Sequence, residues 1–74
     1  MSTMRILGRS GDEPLHWDPE DPGSVSRASR AFEEYRRNRA LAFSVPESGG
    51  DPVVIREFDP AADEIILTFP LIGG

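Results

Sequence analysis

The stretch "DEIILTFPLIGG" (residues 63–74) decides how this chain folds. Ile65, Ile66 and Leu67 are apolar at three consecutive positions, whereas a strand covered on one side alternates apolar with polar. The run predicts a strand over residues 64–69, covered on both faces and lying in the interior of a sheet. Pro70 carries no N–H donor and ends the ladder. Ahead of the run, "DPAAD" (residues 59–63) predicts a tight turn, with Pro60 setting φ.

Working outward, "VVIREF" (residues 53–58) and "LAFSV" (residues 41–45) read as two further strands, the latter with Leu41, Phe43 and Val45 on one face. "PESGGDP" (residues 46–52) is the loop between them. Before them lies a helical pattern. Val25, Ala28, Phe32 and Tyr35 form one apolar stripe at helical spacing, with Ala31 beside it. Ser24 is the expected N-cap. Asp18, Glu20 and Asp21 precede the helix and Arg36, Arg37 and Arg39 close it, both matching the helix dipole. Glu33 and Arg37 stand four residues apart in the favourable order. At the start of the chain, "MRILG" (residues 4–8) and "EPLHWD" (residues 13–18) read as strands joined by the turn "RSGD" (residues 9–12). Leu15 and Trp17 share a face. Pro14 puts the second strand's start there or sets it at a sheet edge.

The element order is ββαβββ, an α+β chain in which one helix covers one face of a mixed sheet. That order is the one found in the β-grasp, with the first and last strands adjacent and parallel in the middle. Residues 1–69 are expected to form this domain, and residues 70–74 a flexible tail.

Composition narrows the functional classes. A domain of 74 residues buries only about 60% of the surface its unfolded chain exposes. It has little room for a deep active site of its own. Cysteine is absent, which removes disulfides and thiol chemistry. The net charge is −5, from 13 acidic residues and 8 basic ones, all of them arginine. An acidic chain without a basic stripe argues against nucleic acid. No apolar run is long enough for a membrane span. The expectation is a soluble, cytoplasmic monomer. His16, the one histidine, points away from Leu15 and Trp17 toward solvent, with no second histidine to build a metal site. Ser24 and Ser26 have no base in sequence reach. "DPEDP" lacks the alternating oxygen ligands of a calcium loop and reads as a solvated turn. The Arg36, Arg37 and Arg39 cluster reads as a solvated helix end, with contact to an acidic partner as the alternative. Trp17 reads as core or as packed at the sheet edge, with an interface anchor as the alternative.

Residues 63–74 resemble the C-terminus of the small, sulfur-carrying subunit of molybdopterin synthase. They are also similar to the thiamine sulfur carrier and, more distantly, to ubiquitin. The matching features, in order, are the acidic turn at Asp63 and Glu64, the strand, the apolar segment Pro70, Leu71 and Ile72, and the pair Gly73 and Gly74. The chain departs from the pattern in having almost no linker after the helix. It also has Phe69 and Pro70 where two prolines are common.

The resemblance implies a β-grasp protein that is not itself an enzyme and binds no cofactor or metal. It implies that a partner, an E1-like adenylating enzyme, uses ATP to activate the carboxylate of Gly74, which then becomes a thiocarboxylate delivered to a biosynthetic enzyme. Glycine at 73 and 74 can pass a narrow channel and take backbone angles closed to other residues. Pro70 would stiffen the tail's base, and Phe69, Leu71 and Ile72 would meet apolar patches on the partner. Residues 70–74 could span about 16–18 Å when extended. Two alternatives remain. One is a ubiquitin-like modifier joined through Gly74 to a target protein's amine, which could form no chains through its own lysines because it has none. The other is a β-grasp interaction module or assembly subunit that is never activated.

Overall fold

The computed structural model describes residues 1–7, 13–46 and 49–69. The elements are β1 (Ser2–Leu7), β2 (Leu15–Trp17), α1 (Pro22–Arg37), β3 (Leu41–Val45), β4 (Val53–Ile55) and β5 (Glu64–Thr68). The expected turn at residues 9–12 and the tail at residues 70–74 lie outside the described residues, as does Gly8. The strands form one mixed sheet in the order β2-β1-β5-β3-β4. β5 runs parallel to β1, with Met4 beside Ile65 and Ile6 beside Leu67, and antiparallel to β3, with Ala42 opposite Leu67. The expected adjacency of first and last strands is therefore present. β2 and β4 are the edges.

Side chains alternate across a strand, and here the alternation sorts one face into the core. Met4 and Ile6 of β1, Ile65 and Leu67 of β5, Ala42 of β3 and Trp17 of β2 are buried together with Ala28 and Phe32 of α1. The helix stripe read from the sequence is the stripe that packs, with Val25 and Tyr35 at its margins.

Several boundaries differ from expectation. β5 is central but fully covered on one face only. Ile65 and Leu67 are completely buried, while Ile66 between them is half-exposed on the face away from the helix. Three consecutive apolar residues reflect an interior position in the sheet, not a second covering layer. β1 starts at Ser2, two residues early, because Ser2 pairs with Trp17 and the Thr3 N–H donates to the carbonyl of Asp63 (3.1 Å).

The N-cap is Asp21, not Ser24. Proline suits the first helical position, where an N–H would lack a partner, so Pro22 starts the helix. Asp21 before it is extended (φ −107°, ψ 101°), and its carboxylate accepts the Gly23 N–H. Ser24 lies inside the first turn, buried. Its hydroxyl accepts the Asp18 N–H (2.9 Å) and lies within donating distance of the Asp18 and Asp21 carbonyls.

At the other end the helix stops at Arg37, and Arg39 falls beyond it with φ +70°. The Ala40 N–H bonds back to Tyr35 O and the Arg39 N–H to Arg36 O, each at 3.0 Å. This is the paired closure usually completed by glycine in the left-handed position. Arg36 adds a hydrogen bond from its guanidinium to Ala40 O (2.8 Å). The expected Glu33–Arg37 ion pair is not formed. Among the described residues the ion pair is Arg5–Glu64, on the open face of the sheet.

β4 ends at Ile55 instead of running to residue 58. Phe58 leaves the strand to sit between Trp17 and Phe32, with ring centroids 5.1 Å and 5.7 Å away. The Trp17 indole N–H donates to Pro60 O (3.1 Å) and anchors the turn that follows.

Candidate functional site

Of the tail residues singled out by sequence, Phe69 is among the described residues, and it stands at the exit of β5. β5 is held on both sides, by β1 over five residue pairs and by β3 over five more. Beyond its last residue, the Phe69 N–H still donates to Leu7 O (3.4 Å), which carries the β1 ladder one step further. The Phe69 ring meets Tyr35 edge-on at 5.9 Å, at the margin of the core. The chain therefore leaves the sheet from its most firmly held strand, and an aromatic contact to the helix fixes the last described residue. Pro70, Leu71, Ile72, Gly73 and Gly74 lie outside the described residues.

Around this exit, the open face of the sheet is apolar. Leu7 and Leu41 flank Thr68, and Phe43 and Ile66 stand opposite each other one step inward, with Val54 beside Phe43. Leu7, Leu41 and Val54 are 50%, 45% and 62% exposed. At the far end of the same face the character turns polar. Arg5 pairs with Glu64, and Thr3 Oγ1 lies 3.1 Å from His16 Nδ1.

The sequence placed Leu41, Phe43 and Val45 on one face without saying which. It is the open one, and the small residues Ala42 and Ser44 face the helix, where the Trp17, Phe32 and Phe58 rings fill the space. The helpful signal was the size alternation in "LAFSV": large residues on one side, small on the other.

The other candidates resolve into local structure. Asp18 Oδ1 accepts the Glu20 N–H and Asp21 caps the helix, so two of the acidic turn's three carboxylates bind backbone N–H groups. Among the described residues no three His, Cys, Asp or Glu side chains are grouped to hold a metal ion, and no helix is long and apolar enough to cross a membrane. Trp17 is core, as expected, and His16 is exposed.

Comparison with models of known protein families, with curated proteins and with solved structures finds no match to this chain.

Proposed function

We propose that this chain is a ubiquitin-like β-grasp protein that presents the Gly74 carboxylate to an E1-like partner, with sulfur carriage as its task. The observation that supports the reading is the placement of β5, which is central, parallel to β1 and hydrogen-bonded on both sides. In the sequence Pro70 follows two residues after Thr68 and the glycine pair begins five residues after it. A tail rooted this way can be pulled into another protein's site without unravelling its own domain, because extraction would have to break two ladders.

The chemistry belongs to the partner. A Gly74 carboxylate oxygen attacks the α-phosphorus of ATP and pyrophosphate leaves. A sulfur nucleophile then displaces AMP from the acyl carbon. ATP is used by the partner and is not held by this chain, and a cytoplasmic location follows from that use. A biosynthetic enzyme or acceptor protein receives the product.

The test is an intact mass of the chain, tagged only at its N-terminus and recovered from its native host. A chain ending at Gly74 with one oxygen replaced by sulfur supports the carrier. A branched peptide linking Gly74 to a target amine replaces the carrier with a modifier. A wholly unmodified population, with E1-like enzymes expressed, rejects both. Deleting Gly73 and Gly74 should then leave function intact, which is the signature of an interaction subunit. The apolar open face around Leu7, Leu41 and Val54 favours that second reading, since contiguous exposed apolar surface marks contact sites.

A further inference from the structure

A second surface lies on the other side of the molecule from the open sheet face. The C-terminal half of α1 and the segment after β4 wall a groove of about 540 Å³. Phe32 and Phe58 line it, and Arg36, Arg37 and Arg56 stand along it. Three of the eight arginines of an acidic chain therefore converge on one groove, from two elements far apart in sequence. Two glutamates, Glu33 and Glu57, also line it, but neither forms an ion pair with these arginines. Arg36 is oriented by its bond to Ala40 O. The Arg37 and Arg56 side chains are exposed and make no hydrogen bond or ion pair among the described residues.

We propose that this groove binds an acidic peptide segment of a partner protein, one with carboxylates on either side of an apolar residue. Guanidinium groups pair with carboxylates through two parallel N–H···O bonds, and the half-buried Phe58 ring, backed by the buried Phe32, offers an apolar seat between them. The groove is open to solvent along its length and cannot enclose a small molecule on most of its surface, as ligand pockets do. A peptide laid across it would touch both walls. Nucleic acid is disfavoured, because a net charge of −5 repels a long polyanion. A short acidic segment meets that repulsion too, so its binding must come from close bidentate contact. The proposal is independent of whether Gly74 is activated.

The test is fluorescence anisotropy of a dye-labelled peptide with four aspartates and glutamates flanking a central leucine, titrated with the full chain. Saturable, salt-sensitive binding is expected. Arg37→Glu/Arg56→Glu should weaken it by at least about tenfold, and Arg37→Lys/Arg56→Lys by several-fold because the planar fork is lost. The control is Arg27→Glu/Arg30→Glu, which makes the same charge change at exposed helix positions outside the groove and should weaken binding less than about threefold. Thermal melts confirm that each variant is folded. Absence of saturable binding overturns the proposal, as does equal loss in the control. A serine-centred peptide or inorganic tripolyphosphate binding as tightly as the leucine peptide also overturns it, since the groove would then be a simple anion site.

Discussion

Arg39→Gly should make this protein more stable, although it removes a large side chain and a favourable charge. Arg39 sits at φ +70°, just past the helix, where its N–H bonds to Arg36 O and the next N–H returns to Tyr35 O. A side chain in the left-handed region costs about 1–2 kcal/mol, because Cβ crowds the following carbonyl oxygen. Glycine removes that crowding but has more freedom to lose on folding, which offsets about 0.5–1 kcal/mol. Loss of a positive charge near the helix C-terminus subtracts about 0.3 kcal/mol more. The balance is a gain of about 0.5 kcal/mol, a rise in Tm of about 2–4 °C for a domain of this size. Arg39→Ala is the control. It loses the same charge yet keeps Cβ, so it should be no more stable than the parent and about 1 kcal/mol below the glycine variant. Urea titration followed by Trp17 fluorescence measures all three. A glycine variant no more stable than the alanine variant would refute the left-handed closure as the source of strain.

Phe58→Ala should cost about 2–4 kcal/mol, since one ring supports both Trp17 and Phe32; a loss under about 0.5 kcal/mol in the same titration would mean the ring is not packed. Ser24→Ala should cost about 1–2 kcal/mol by leaving the part-buried Asp18 N–H without its acceptor. Asp21→Ala should cost about 1 kcal/mol as a lost cap, and a neutral result there would return the capping role to Ser24. For Arg5 and Glu64, a double-mutant cycle with both residues changed to alanine should give a coupling of about 0.2–1 kcal/mol that fades in high salt; a larger, salt-insensitive value would contradict their exposure.

The order of elements, the helix stripe and the parallel meeting of β1 and β5 were legible because they rest on local periodicity and on how few ways a short chain can cover one sheet face. The cap was misplaced because Ser24 is a good cap by type. Only the position of Pro22 and the bond from Asp18 to Ser24 show that the helix starts earlier and that the serine ties the preceding turn to it. The strand ending in Phe58 was overextended because "VVIREF" has strand composition throughout. The ring's gain in packing between Trp17 and Phe32 outweighs continued pairing at a sheet edge.

By itself, the sequence determined an α+β chain, its one helix and its central last strand, together with a tail motif that supports a carrier or modifier reading. These are properties of neighbours along the chain: spacing, turn residues and the place of glycine and proline. The tertiary structure alone decided which face of β3 is solvent-facing, why Ile66 is half-exposed, and that Arg56 joins Arg36 and Arg37 across a groove floored by two phenylalanines. Those features depend on residues more than a dozen positions apart. No local pattern carries them, because a strand's alternation shows that it has two faces but not which one the helix will cover.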